Sequence, residues 1–393
     1  LSGFWVSHQA SLLAFVGALL LIALSNALSL RRLGRSPWPA RFPRVSVLVP
    51  ARDEEANIGP CVRSLVAQDY PDFEVLVLDD NSTDATPALL AALQVENAHL
   101  RVLQGRPLPE DWLGKHWACH QLALAADGEL LLFTDADTRH HPAALADAVT
   151  ALLAEKADLL TAFVREDVES WAERLTVPVM NWSVLSFFPF WLAHRLHIPA
   201  YSAANGQLML FRRSAYDRIG GHAAVRAHPV DDIQLARRII SHDLRWRMAS
   251  ALDRVSCRMY RDIRQVREGF SKNLFAAFGY SIPFFAFVWL WLVIVYCEPL
   301  VVVFLFGLKL VPGRFQGLPV SGLSFGLALG AVTCSLLHWC LSYRYLRFPV
   351  YPALMYPVSV LVFAAIAIRS VIVTLRREAT WKGRAVTNLR RVD

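Results

Sequence analysis

Apolar positions along the chain follow two different patterns. Near both ends they form runs long enough to cross a bilayer at about 1.5 Å per residue. Residues 4–30, FWVSHQASLLAFVGALLLIALSNALSL, carry no charge beyond His8 and are followed at once by Arg31, Arg32 and Arg35. No basic start and no small-residue cleavage site is seen, so this run is expected to be an anchor and not a cleaved signal. After residue 273 the apolar pattern returns. Residues 274–310 read either as one long span with an interfacial helix or as two short spans broken at Glu298 and Pro299, and 322–341 and 350–375 are further spans. An even number of spans, arranged as two hairpins, would return the basic tail to the starting side.

Between these ends short β-branched runs alternate with helical segments. VSVLVP (45–50), FEVLVLDD (73–80), LRVLQG (100–105) and ELLLFTDAD (129–137) have the continuous apolar character of strands covered on both faces. A helix is expected from Glu54 to about Gln68, ending at DYP (69–71), and another over HWACHQLALAA (116–126). NSTDAT (81–86) offers helix N-cap residues before PALLAALQ. Strands and helices alternating at this spacing predict a parallel α/β sheet. The proline-rich stretch 36–43 reads as a stiff linker into it. The expected order is anchor (1–35), α/β domain (44–273), apolar helices (274–375) and basic tail (376–393). VPVMNWSVLSFFPFWLAH (177–194) interrupts the α/β pattern and reads as a membrane-dipping element or a packed core segment.

Composition supports this division. The chain is 55% hydrophobic with a mean hydropathy of +0.34, above the soluble range. The formal charge of +7 could suggest nucleic acid. Its arginines and lysines are dispersed or cluster beside apolar spans, as in Arg376, Arg377, Lys382 and Arg384, which points to topology and anionic headgroups instead. The positive-inside rule then puts the α/β domain in the cytoplasm. Six cysteines show no metal-site spacing and read as free thiols in a reducing compartment. No pattern specifies an oligomeric state.

Three strand ends carry acids: Asp53 with Glu54, Asp79 with Asp80, and Asp135 with Asp137. In parallel sheets ligands bind at that edge. The D-x-D of FTDADT (133–138) puts two carboxylates in one turn, where both can face a hard divalent cation that also takes phosphate oxygens. A helix cap is the plainer alternative for such a pair. Asp79 and Asp80 weigh against it, because two adjacent acids at a buried strand end are costly without a ligand or donors.

With these residues in view, VSVLVPARDEEANI, SLVAQDYPDFEVLVLDDNSTDAT and FTDADT together resemble glycosyltransferase family 2, over about Val45 to Asn273. The resemblance implies a GT-A fold, a mostly parallel Rossmann-like mixed sheet, combined here with transmembrane α-helices. It implies Pro50, Ala51 and Glu54 around the nucleoside, Asp80 on the uridine, and Asp135 and Asp137 holding Mg²⁺ or Mn²⁺ on the donor diphosphate. In the family a Gly-Lys pair precedes the metal-strand helix, so Lys115 is either a phosphate contact or an ordinary surface lysine. HPVDDIQLARRI (228–239) is similar to the family's Glu-Asp signature, with Asp231 in place of the Glu. An inverting transfer needs a base on the acceptor hydroxyl, and Asp232 is the candidate; helix N-terminal acids favoured by the macrodipole are the alternative.

SAANGQLMLFRRSAYDRIGGH (202–222) is similar to the acceptor-side strand, so Asn205, Gly206, Gln207 and His222 are expected at the acceptor mouth, with His222 as a structural residue lacking a visible partner. The final Q/R-x-x-R-W motif of membrane members is kept only in part: Arg264 and Arg267 keep the spacing, Glu268 stands where Trp is expected, and Arg267 or Lys272 is the candidate to stabilise the leaving diphosphate. TWKGR (380–384) recurs after the last span in related members and is assigned no role. The whole pattern resembles bacterial carotenoid or hopanoid-associated members more than ceramide glucosyltransferase. The expected activity is inverting transfer from a UDP-sugar to a carotenoid or other isoprenoid lipid. Alternatives are a polyprenyl-phosphate glycosyltransferase, a short polysaccharide synthase, or a transporter or scaffold with an inactive transferase domain.

Overall fold

The computed structural model describes residues 2–35, 37–39, 41–308, 323–378, 380–382 and 384–385. The end of the apolar run 274–310 and the tail beyond Ala385 lie outside the described residues. The chain forms two compact units, one of residues 30–167, 190–260 and 376–393, the other of 1–29, 168–189 and 261–375. The divisions fall at 29/30 and 260/261, where the sequence suggests 35 and 273, and 168–189 joins the second unit.

The first unit is built on an eight-stranded sheet. Its strands are β1 (Arg31–Arg32), β2 (Val45–Ala51), β3 (Phe73–Asp79), β4 (Leu100–Gln104), β5 (Leu130–Phe133), β7 (Leu159–Phe163), β9 (Met209–Arg212) and β10 (Trp246–Ser250), with β6 (Thr138–His140), β8 (Arg165–Glu166) and β11 (Val255–Cys257) forming a second, small sheet. The order in the large sheet is β1-β10-β7-β9-β5-β2-β3-β4. Every pairing is parallel except those of β9, which runs antiparallel to both β5 and β7. Val45, Val47 and Val49 are fully buried, as are Ser46 and Leu48, so β2 is covered on both faces. This is why it reads as a continuous apolar run. The expected strands are present, each end within four residues of its predicted position.

The helices of this unit are α2 (Ile58–Val66), α3 (Thr86–Glu96), α4 (Gly114–Ala125), α5 (Ala144–Ala154), α7 (Phe190–Leu196), α8 (Arg213–Arg218) and α9 (Asp231–Ser241). Two expectations are corrected here. Helix α2 starts at Ile58 and not at Glu54. The backbone N–H groups of Asp53, Glu54 and Glu55 are instead taken by Ser82 Oγ, Thr86 Oγ1 and Asp84 Oδ2 at 2.9, 2.8 and 3.0 Å. For the same reason the N-cap residue of α3 is Ala85, without a side-chain cap bond. The polar run 81–86 serves mainly to tie the turn after β2 to the turn after β3. Both turns include a non-glycine residue at positive φ, Asp53 at 50° and Asn81 at 56°, a conformation the short Asp and Asn side chains tolerate best.

The second unit consists of α1 (Ser2–Ser29), α6 (Trp171–Phe187), α10 (Ile263–Ala277), α11 (Ile282–Gly307), α12 (Phe325–Tyr345) and α13 (Tyr356–Leu375). Four segments are long and apolar enough to cross a membrane: Phe4–Ser29, Ile282–Gly307, Phe325–Tyr345 and Tyr351–Leu375. Phe284, Phe287, Leu290, Val301 and Phe304 of α11 are exposed, the surface a lipid-facing helix presents. Of the two readings of 274–310, one helix holds, because α11 runs unbroken through Glu298 and Pro299. Glu298 Oε2 lies 2.9 Å from His8 Nε2 on α1, the kind of pairing that makes an intramembrane acid tolerable. Inside the unit Trp182, Tyr296, Trp339, Tyr343 and Tyr356 are fully buried, and Ser186 Oγ lies 2.7 Å from His338 Nε2. The stretch 177–194 divides: α6, begun by a capping box of Ser170 and Glu173, belongs to this unit, and α7 to the sheet unit.

Candidate active site

Register fixes which acids share an edge. Ala51 is opposite Asp79, Asp79 opposite Gln104, and Leu48 opposite Phe133. The turns Arg52–Glu54, Asp80–Asn81 and Thr134–Asp137 therefore leave the sheet at the same end. Strand order reverses between β2 and β5, since β3 follows β2 on one side and β5 lies on the other. That reversal opens a crevice at the carboxyl ends. Pro50 and Ala51 are the last two residues of β2, Glu54 follows them, and Asp80 is buried at 4% exposure.

The D-x-D turn is held from below by hydroxyls. Thr134 Oγ1 donates to the Gln207 carbonyl at 2.7 Å, and Thr138 Oγ1 donates to the Asp135 carbonyl at 2.8 Å. His140 Nε2 lies 3.1 Å from both hydroxyls, and burial lowers its pKa to about 4. Asp135 Oδ1 is 2.6 Å from Lys115 Nζ, which projects from the first turn of α4. Burial alone would lower the Lys115 pKa; Asp135 and Asp231 outweigh it and raise it well above the ordinary value. Lys115 is thus no free surface lysine.

Asp137 is different. Its Oδ1 is buried and has no hydrogen-bond partner. Burial, then Asp135 and Glu54, push its pKa up to about 7. Convergent carboxylates with an unsatisfied oxygen fit a divalent cation. Among the described residues no group of three or more His, Cys, Asp or Glu could hold a metal. Two carboxylates would fit such a cation only if its remaining ligands came from a phosphorylated substrate, the usual arrangement for Mg²⁺.

Of the residues expected at the acceptor mouth, Gly206 lies against the same lysine. A Cβ built on Gly206 would lie 3.3 Å from Lys115 Nζ and 3.8 Å from Asp232 Oδ2. Gly206 therefore lies close to both Lys115 and the first turn of α9. Asn205 and Gln207 brace this turn: Asn205 Nδ2 donates to Gln207 Oε1 at 3.1 Å, and the Gln207 N–H donates to Asn205 Oδ1 at 3.1 Å. Asp231 and Asp232 are adjacent yet shifted in opposite directions. Burial would raise Asp231, but His116, Lys115 and His222 hold it well below the usual carboxylate range. Burial and the charge of Asp231 push Asp232 up to about 7, a value suited to a base near neutral pH.

His222 has the partners that the sequence did not reveal. Its Nδ1 is 2.8 Å from Tyr216 Oη and its Nε2 3.6 Å from Asp231 Oδ2, at 2% exposure. Its contact with Asp231 is one of the causes that hold that carboxylate low. Two further residues went unnoticed in the sequence. His116, buried beside Lys115, donates from Nε2 to the His228 carbonyl at 2.8 Å. Glu166 of β8 is buried, and burial above all raises its pKa to about 8 in the neighbourhood of Gln207 and Asp137. The GKH run could have signalled the histidine; nothing local signals Glu166, which the small sheet β6-β11-β8 brings in. Arg267 and Lys272 lie on α10 of the helical unit, Arg267 exposed, and Arg264 Nε is ion-paired with Glu268 Oε1 at 3.0 Å.

Residues 46–220 match the family Glycosyl transferase family 2. The chain carries a family 2 glycosyltransferase domain. It is 28% identical over 228 residues to a beta-monoglucosyldiacylglycerol synthase of Trichormus variabilis, covering 55% of this chain and 48% of that one. It is 27% identical over 268 residues to a 4,4'-diaponeurosporenoate glycosyltransferase of Staphylococcus aureus, covering 63% and 65%. The chain thus spans about half to two thirds of the length of these relatives. Among solved structures, a mannosyltransferase of Pyrobaculum calidifontis in complex with GDP-Man and Mn²⁺ aligns with a TM-score of 0.51 at 18% identity, over 95% of this chain and 99% of that one. That likeness speaks to the fold, which is of the GT-A type with added apolar helices.

Proposed function

We propose that the family 2 domain catalyses inverting transfer of a sugar from a nucleoside diphosphate sugar to a hydroxyl group of a membrane lipid. The observation that carries this reading is Gly206, which joins a lysine-braced D-x-D to a carboxylate with a pKa near neutrality. Asp80, Glu54, Pro50 and Ala51 bind the nucleoside, with uridine the expected base. Asp135 and Asp137 would hold Mg²⁺ or Mn²⁺, which supplies positive charge for the departing diphosphate when bound. Lys115 adds a cation on the same side. Asp232 takes the acceptor proton, and Asp231, kept ionised, holds Asp232 at the pKa its task needs. Asn205, Gly206 and Gln207 form the acceptor wall.

The names of the two relatives, one a synthase of a glucosyl lipid and one acting on a carotenoid acid, support a lipid acceptor. The test is incubation of the full-length protein in lipid nanodiscs with UDP-sugars, Mn²⁺ and extracted lipids. One added hexose per lipid, with inverted anomeric configuration, is the expected product. Products that lengthen with time would mean a polysaccharide synthase. Full activity of Asp232→Asn would mean an ionised acceptor such as a polyprenyl phosphate, and no transfer or UDP-sugar binding at all would leave a non-enzymatic scaffold.

We also infer the topology. Arg31, Arg32 and Arg35 favour a cytosolic sheet unit. The chain leaves this unit at Tyr260 and rejoins it at Arg376, so the intervening segment makes an even number of complete crossings. Three apolar helices lie in it among the described residues, in place of the two hairpins expected. One of them therefore does not cross. A cysteine at Glu378, in a cysteine-free background, should react with an impermeant maleimide only in inverted vesicles; reaction in intact cells would refute this arrangement.

A further inference from the structure

The TWKGR segment is placed by its neighbours. β12 (Thr380–Trp381) and β13 (Arg384–Ala385) form an antiparallel hairpin in the sheet unit, with Lys382 at the turn. Lys382 adopts φ 45°, a conformation that a long side chain rarely takes without compensation. The compensation is on the turn after β2. Lys382 Nζ donates to the Arg52 carbonyl at 2.6 Å, to the Asp53 carbonyl at 3.4 Å, and to Glu54 Oε1 in an ion pair. Arg52 answers in both directions. Its Nε donates to the Lys382 carbonyl at 3.3 Å, and its Nη1 donates to the carbonyls of Asp80 and Asn81 at 2.6 and 3.1 Å. Residues 330 positions apart in sequence thus bind the two turns on which a nucleoside would rest.

Lys382 and Glu54 are both largely shielded, at 20% and 17% side-chain exposure, so their pairing is more than a solvated surface contact. A partly shielded lysine that satisfies two backbone carbonyls and one carboxylate fixes the shape of the turn it bonds. We propose that the tail hairpin clamps the nucleoside pocket, with Lys382 as the positioning residue that sets Glu54 and the Arg52–Asp53 backbone for the donor nucleotide. This rests on the donor reading given above. The clamp makes donor affinity depend on the chain beyond the last apolar helix, without giving the tail any part in the chemical step.

The test measures UDP binding in the presence of Mn²⁺ to the full-length protein in detergent, together with steady-state kinetics. Lys382→Met should weaken UDP binding and raise the donor KM by about tenfold, the loss expected for charge-assisted bonds in a partly shielded site, with kcat and the acceptor KM within about twofold. Lys382→Arg should restore most of the affinity. An unchanged donor KM, or a fall in kcat at constant KM, overturns the clamp while the donor reading stands. If the unaltered protein binds UDP and Asp80→Ala does not, the donor site is sound and the Lys382 result decides. If the unaltered protein binds neither UDP nor GDP, the donor reading fails and the clamp falls with it. A Lys382→Met protein with lowered thermal stability and both KM values raised would show a general structural role, and that too overturns the proposal.

Discussion

The proposed donor and acceptor halves of the crevice are built on opposite plans. On the donor side three parallel strands end in acids, and each acid owes its place to its own strand. On the acceptor side the strand β9 runs antiparallel, and the chemistry of Asp231 and Asp232 is set by residues from elsewhere: Lys115 and His116 from α4, and His222 from the turn after α8. A strand end fixes where a carboxylate is. Its charge state is fixed by what the rest of the fold packs around it.

Breaking the donor side should cost most. Asp137→Ala removes one of the two carboxylates proposed to hold the cation on the diphosphate, and transfer should fall by about a thousandfold or more. The same variant should lose Mn²⁺-dependent UDP binding, which can be read by titration calorimetry without turnover. The variant gives up a hydrogen bond with the Cys257 thiol but also removes a buried oxygen that has no partner, so it should keep its fold. Binding that survives intact would mean that the cation is not held here.

The acceptor side is sharpened by pH. With Asp232 pushed up to about 7, kcat/KM should climb as pH rises through about 7, because only the ionised form accepts a proton. Asp232→Asn should lower kcat by roughly a hundred- to ten-thousandfold with little change in donor KM. Asp231→Asn removes the charge that raises Asp232, so the acidic limb should move to lower pH. An acidic limb that stays in place in Asp231→Asn would show that burial alone tunes the base.

The same contrast explains what could be read from the chain. β2, β3 and β5 were legible because buried parallel strands are written as apolar runs, and their acids follow directly. The start of α2 was not, since Ser82, Asp84 and Thr86 look like caps for their own helix until the partner turn is seen. His222 looked solitary because Tyr216 and Asp231 meet it through a turn and a helix start. Glu166 could not be found by any local pattern, because it arrives through a three-stranded sheet; Lys382 stands out within TWKGR, but its role does not, because its partners lie 330 residues away.

The smallest effect should come from the residue that joins the two halves. Gly206→Ala adds a methyl 3.3 Å from the Lys115 ammonium and 3.8 Å from Asp232 Oδ2. The nearer contact is the end of a flexible side chain, which can give by a few tenths of an ångström, so the protein should keep its thermal stability. The methyl still occupies space where donor and acceptor meet, and a displacement of that size at reacting groups lowers rate before it lowers binding. A loss of about three- to tenfold in kcat, with donor KM unchanged, is expected. Gly206→Val should lose far more, because a branched side chain cannot avoid both neighbours. If alanine and valine behave alike, Gly206 borders the site without lying between its two halves.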